Sequence, residues 1–376
     1  MDETRNRPRL GLGFFAVLIA GLAARLLVAT CGHDYDMDSW RIVAGIADRG
    51  GNVYASTDRY NFAPGWFHIL HVLNLLAGHN PVAFRYVVAG FLGLVDAGIF
   101  FFLWRRFGRL AACWFLLSPV SIIISGYQCN FDNVAIWLGL SAAGLMGDDF
   151  ERPLYRRKYL GLMLLGLSLV VKHVFFAFPF WLAVKQKGLG QKLLVISIPI
   201  AIFVLSFVPY WSTGSQGIIQ NVFLYRSFTT EFFYRMFLPP FVQFMFGAQA
   251  VWLFLLGLFA FVYRRKGTVD FLLFYTCVLV AVSPADINEY LAIPGAFVAV
   301  HLNPFAILYT VIASFHLLVD PNGLHLTSLS RNICIDLAIY TLCLNLIWVT
   351  WRQQIVTRVR QLLAWSVAEV KNQLER

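Results

Sequence analysis

The chain has 376 residues, of which 59% are hydrophobic, 16% aromatic and only 13% charged. Soluble domains carry nearer a quarter charged residues, so a soluble globular protein is excluded. The net charge of +10 is spread in short basic clusters between apolar runs, a pattern of membrane topology signals and not of a nucleic-acid surface. Apolar windows of roughly 17 to 25 residues, the length that crosses a ~30 Å hydrocarbon core, recur throughout. No polar block is long enough for a separate domain. The expected fold is a single all-α polytopic membrane unit over residues 1–376.

The first apolar run, Leu10 to Thr30, follows Arg5, Arg7 and Arg9. It lacks a small-x-small cleavage site leading into a soluble domain, so a retained first helix is expected. Residues 31–62 form the long hydrophilic stretch near the N-terminus and carry Asp34, Asp36 and Asp38 in alternation. On an extended segment that spacing turns all three carboxylates to one side. Ser39 to Asp48 reads as an amphipathic helix with Trp40, Val43, Ala44 and Ala47 on one face, which leaves Asp38 as its N-cap or as a member of the acid set. Phe62 to Gly78 contains Pro64, Gly65, His68 and His71. Were it to cross, the cluster Arg105, Arg106 and Arg109 would fall outside, so a re-entrant or surface helix is expected. The two histidines lack a placed third ligand and read as packing or interface residues.

The other basic clusters are Arg156, Arg157 and Lys158; Lys185, Lys187 and Lys192; and Arg264, Arg265 and Lys266. Placing all of them in the cytoplasm gives twelve crossings, at 10–30, 82–104, 110–126, 131–147, 159–171, 173–184, 192–211, 248–263, 268–283, 287–300, 302–319 and 331–350. The outer loops are then 31–80 and 212–247. In the tail, 351–376, Ile355, Val359, Leu362, Leu363, Val367, Val370 and Leu374 repeat at helical spacing between basic residues, as in a helix lying on the cytoplasmic membrane surface. Cys31 and Cys129 both fall outside, but the six cysteines show no CxxC spacing and no disulfide is expected.

On this topology the polar groups without a charge-cluster explanation all collect at the outer face. They are Gln128, Asn130 and Asp132; Lys172 and His173; Arg226, Glu231 and Arg235; and Asp286, Asn288 and Glu289. Solvated loops give the same pattern, but one external active site requires it. Asp36, which the Ser39 helix leaves without a capping role, reads as a general base toward an acceptor hydroxyl. Lys172, His173, Arg226 and Arg235 read as a donor-phosphate site, with lipid head-group anchoring as the other role open to the lysine and arginines. Neither a Walker loop, a Rossmann fingerprint nor HExxH is present, which argues against nucleotide-driven chemistry.

The stretches Asp34-Tyr-Asp-Met-Asp-Ser-Trp-Arg, Gly51-Asn-Val-Tyr and Arg59-Tyr-Asn-Phe-Ala-Pro resemble the first outer loop of GT-C glycosyltransferases of the mannosyltransferase type. Ser118-Pro-Val-Ser and Ser125-Gly-Tyr-Gln-Cys-Asn-Phe-Asp resemble that family's Ser-Pro element and the polar step after it. The resemblance covers about residues 30–140. It departs from the family in the extra Asp34 and in Phe62-Ala63 before Pro64. It implies an integral membrane enzyme that moves a sugar, mannose favoured, from a polyprenyl-phosphate carrier to a glycan, lipid or protein acceptor outside the cytoplasm. The membrane would be the plasma or inner membrane, and no nucleic acid would take part. Asp36 and Asp38 match the DxD acids, so a divalent cation, Mg or Mn, would have those two as its ligands; basic side chains are the alternative to a metal. Arg59, Tyr60, Gln128, Asn130, Asp132, Asn288 and Glu289 are the expected substrate-binding residues. The competing class is a transporter or flippase for a lipid-linked or anionic substrate, which would use charges inside the spans, and Arg25, Asp96 and Asp336 are the candidates. A non-catalytic envelope scaffold would explain the spans but not the acids.

Overall fold

The structure is a computed structural model that describes residues 11–148, 150, 154–225, 240–285, 287–318 and 328–374. Among them there are helices, turns and loops but no strand. The chain opens with α1 (Leu12–Thr30), α2 (Tyr35–Asp48), α3 (Val53–Ser56), α4 (Gly65–Leu76) and α5 (Pro81–Arg106). Next come α6 (Arg109–Leu117), α7 (Pro119–Gly126), α8 (Asp132–Met146), α9 (Arg156–Val171), α10 (Phe178–Val184), α11 (Leu189–Leu205) and α12 (Trp211–Gly217). The C-terminal part holds α13 (Pro240–Tyr263), α14 (Thr268–Ala281), α15 (Gly295–Val300), α16 (Pro304–Leu318) and α17 (Ser328–Leu374).

Among the described residues, four helical stretches are long and apolar enough to cross a membrane: Leu12–Thr30, Pro81–Arg106, Leu189–Phe223 and Asn332–Gln354. Counting each bent pair as one span raises this to six, against the twelve expected from sequence. The physical reason is that several apolar runs are broken. The run 110–126 bends by 46° between α6 and α7, where Pro119 opens the second helix. The runs 159–171 and 173–184 are a single apolar stretch that turns by 119° at Lys172. The run 287–300 is a 3₁₀ turn, Asn288–Ala292, followed by the six-residue α15. The tail is not a separate helix, because α17 runs on to Leu374. Its apolar stripe lies among side chains outside the described set.

The acidic stretch is helical, not extended. Asp34 caps α2 by accepting from the Tyr35 amide at 2.6 Å, and Asp36 and Asp38 sit in the first turn, where carboxylates suit the positive end of the helix dipole. At about 100° per residue, Asp36 and Asp38 point to opposite sides. The twelve-residue α4 is about 18 Å long, too short to cross the hydrocarbon core. It lies against α2 and α9. Trp66 stacks on Phe131 at 4.1 Å, and Trp40 meets both rings edge-on, which seats the α2–α4 layer on the entry to α8.

Beneath this layer a buried ion pair joins five helices. Arg25 on α1 donates from Nε to Asp96 Oδ2 on α5 at 2.7 Å, and both side chains are 0% exposed. The guanidinium also donates to the Gly21 and Leu116 carbonyls and to Ser121 Oγ. Asp96 accepts in addition from Ser125 Oγ and Asn133 Nδ2, both at 2.6 Å. Removing one member leaves an uncompensated buried charge, whereas removing both spares that cost. Arg25→Met is therefore expected to lower unfolding stability by about 3–5 kcal/mol, and Arg25→Met with Asp96→Leu to recover much of it. Thermal unfolding of the purified proteins in detergent checks both.

Candidate functional site

Lys172 owes its position to a break in the helix. The residue is extended (φ −149°, ψ 133°) between α9 and the 3₁₀ turn His173–Phe175, so its side chain enters the bundle. Non-helical backbone at such depth is tolerated where protein surrounds it or where it lines a cavity. Its ammonium donates to Asp132 Oδ2 at 2.6 Å and to Asn130 Oδ1 at 3.1 Å, and lies 3.7 Å from Glu289 Oε2. The rings of Phe131 and Phe62 flank it at 4.8 and 5.1 Å. Asp132 opens α8 and is fully buried.

Asp36 meets this cluster from the α2 side. Its Oδ2 accepts from Asn130 Nδ2 at 3.4 Å, and the Glu289 carboxyl is its acidic neighbour. Burial and then the charge and hydrogen bond of Glu289 push Asp36 up to about 8 from an ordinary 3.8, against the opposing pull of Lys172. Glu289 rides on the Asn288–Ala292 turn, which α16 holds at two points. His316 Nε2 is 2.7 Å from Asn288 Oδ1, and the Tyr309 hydroxyl donates to the Leu291 carbonyl at 2.6 Å. Neither His316 nor Tyr309 is among the residues singled out from sequence, because each sits in an apolar run with no motif around it.

Asp36, Asp132, Lys172 and Glu289 line a cavity of about 1490 Å³. Its lining also includes the apolar side chains of Phe176, Leu279, Val280 and Ile293 and the ring of Trp252. Besides the indole nitrogens of Trp40 and Trp252, the buried polar atoms of lining residues without a protein partner are Asp132 Oδ1 and His173 Nδ1. Buried polar atoms are normally paired, so both are positioned for a ligand or water. Arg59 also lines the cavity, exposed, with its guanidinium 4.8 Å above the Tyr35 ring. No ion pair joins it to a described residue.

The sequence-selected residues divide accordingly. Asp36, Asn130, Asp132, Lys172 and Glu289 come together, with Arg59 and His173 on the same cavity. Asp34 is the helix cap in place of Asp38. Asp38 is nearly half exposed and pairs with Arg41 at 3.7 Å, turned away from Asp36, so the two do not form a metal-binding pair. Tyr60 is buried structure: its hydroxyl donates to the Ala63 carbonyl and accepts from the Phe67 amide. Gln128 is buried with both side-chain polar atoms unpaired and does not line the cavity. Asn288 ties its turn to α16 through His316 and does not line the cavity. Lys172 is held by Asp132, so it is not a free cation waiting for phosphate. Arg226, Glu231, Arg235 and Asp286 lie outside the described residues. His71 pairs with Asp48 at 2.6 Å and His68 with the Tyr210 hydroxyl, and among the described residues no group of three or more His, Cys, Asp or Glu is arranged to hold a metal.

Comparison with protein-family models, curated proteins and solved structures gives no match.

The geometry around Lys172 depends on close backbone approach. A Cβ on Gly65 would stand 2.6 Å from the Val170 carbonyl oxygen, at the end of α9. Gly65→Ala must push α4 off α9 and is expected to cost about 1–3 kcal/mol. Gly90→Ala, with open space around it, serves as the neutral control. Thermal melts of the two variants check the difference.

Proposed function

We propose that the chain is a GT-C type glycosyltransferase that moves a sugar, mannose favoured, from a polyprenyl-phosphate carrier to an acceptor hydroxyl. The observation that carries this reading is a single cavity lined both by the carboxyl groups of Asp36, Asp132 and Glu289 and by apolar side chains. An amphiphilic donor suits such a shape, with its sugar among the carboxylates and its lipid against Phe176, Trp252 and Leu279. The motif order in residues 30–140 supports the same family. The placement of this site outside the cytoplasm is part of the proposal and rests on the basic clusters.

In the reaction Asp36 takes the proton of the acceptor hydroxyl as its oxygen attacks the anomeric carbon. The bond from that carbon to the phosphate oxygen breaks, and polyprenyl phosphate departs with the electron pair. Arg59 is the described cation free to meet the departing charge, together with Arg226 and Arg235 beyond the described residues. Lys172 holds Asp132 in place through Oδ2, and Asp132 Oδ1 receives a substrate hydroxyl.

The test is sugar transfer in proteoliposomes with defined polyprenyl-phosphate sugars. Substrate movement across the bilayer without transfer would select the transporter reading instead. Asp36→Asn is expected to lose on the order of 10²–10⁴-fold in rate while the protein stays folded. Because only ionised Asp36 accepts a proton, the wild-type rate should climb as pH rises through about 8. Stability should move the other way. The folded chain holds this proton more tightly than the unfolded chain, so its contribution falls as pH rises from 3.8 to about 8. A pH–rate profile beside melts at the same pH values reads both trends. Labelling of a single cysteine at position 36 from the cytoplasmic side alone would overturn the topology.

A further inference from the structure

We propose that the Lys172 ammonium is the resident cation of this site, standing where a divalent ion would otherwise bridge the acids, so that transfer needs no metal. This rests on the function proposed above, but its central measurement is of binding.

The donor set around Lys172 is that of a caged cation. Asp132 Oδ2, Asn130 Oδ1 and Glu289 Oε2 face Nζ at 2.6, 3.1 and 3.7 Å, and two aromatic faces close the remaining sides. Rings stabilise an ammonium, whereas Mg and Mn demand oxygen ligands and retain water. The acids are also committed in ways a metal would have to undo. One oxygen of Asp132 is bound to the ammonium, and Asp36 Oδ2 accepts from the Asn130 amide. The third acid of the sequence motif, Asp38, is turned to Arg41. Lys172 cannot wander from this cage, because the turn between α9 and the following 3₁₀ segment fixes its backbone. Asp132 Oδ1, buried and unpartnered beside the cavity, is the oxygen left for substrate.

Shortening the lysine should therefore leave a hole that fits a small alkylammonium. Purified Lys172→Ala is expected to melt below wild type and to be stabilised by tens of millimolar ethylammonium, roughly as free ligand stabilises any folded state it binds. Wild type should show no such response, and Lys172→Ala with Asp132→Asn should lose it. Neither protein should bind Mn²⁺ stoichiometrically by electron paramagnetic resonance. In the transfer assay wild type should resist chelators, and ethylammonium should raise the Lys172→Ala rate at least about tenfold. Stoichiometric Mn²⁺ binding to wild type that Asp132→Asn abolishes would overturn the inference, as would chelator-sensitive transfer restored by Mg²⁺. So would melting of Lys172→Ala that responds to Mn²⁺ but not to ethylammonium. If Lys172→Ala does not fold, Lys172→Arg decides, with chelator-resistant transfer supporting the inference and stoichiometric Mn²⁺ binding overturning it. Absence of any sugar transfer by wild type would remove the glycosyltransferase reading and leave the binding measurements to decide the caged cation.

Discussion

The Arg25–Asp96 ion pair is the constraint on which the rest of the structure is arranged. A charge taken out of water is costly, and here every available partner is supplied: a second charge, two serines, an asparagine and two main-chain carbonyls. Because those partners come from α1, α5, α6, α7 and α8, none of these helices can slide along another without unpairing a buried group. Close approach reinforces the point, since a Cβ on Gly126 would stand 2.6 Å from the Arg25 carbonyl oxygen.

At the cavity the design is the reverse. Helices stop short, at Val171 and before Asp132, and the side chains at those ends carry the chemistry. The α2–α4 layer lends Asp36 and the Asn288–Ala292 turn lends Glu289, so four separate stretches of chain supply one cluster. Aromatic packing of Trp40 and Trp66 on Phe131 makes the α2–α4 layer a rigid roof over the start of α8. Positioning of Glu289 is delegated to His316 and Tyr309 on a helix that contributes nothing else to the cavity.

Much of the helical framework was legible in sequence. The runs 10–30 and 82–104 correspond to α1 and α5 within two residues at either end, because an uninterrupted apolar stretch permits little else and Asn80-Pro81 is a strong helix start. Periodicity could not see the bends. Pro119 marks one of them, and Lys172-His173 marked a boundary between two expected spans, but not that the two segments would meet at 119°. The three aspartates were misread because alternation over five residues fits a strand and also fits a helix start where acids favour the dipole. The meeting of Asp36, Asp132, Lys172 and Glu289 could be anticipated as a common face but not as a charge-paired cage. Sequence order carries no information on which lysine a buried carboxylate will claim.

The pairing of charges has an electrical consequence. Arg25 cancels Asp96 and Lys172 cancels Asp132, so each of these two buried pairs carries no net charge. A transmembrane potential does work on a displaced charge of about 2.3 kcal/mol per unit per 100 mV, and on a tight ion pair almost none. In a bilayer this bundle would present the voltage with short dipoles locked in place, and energising or collapsing the membrane would leave its packing undisturbed.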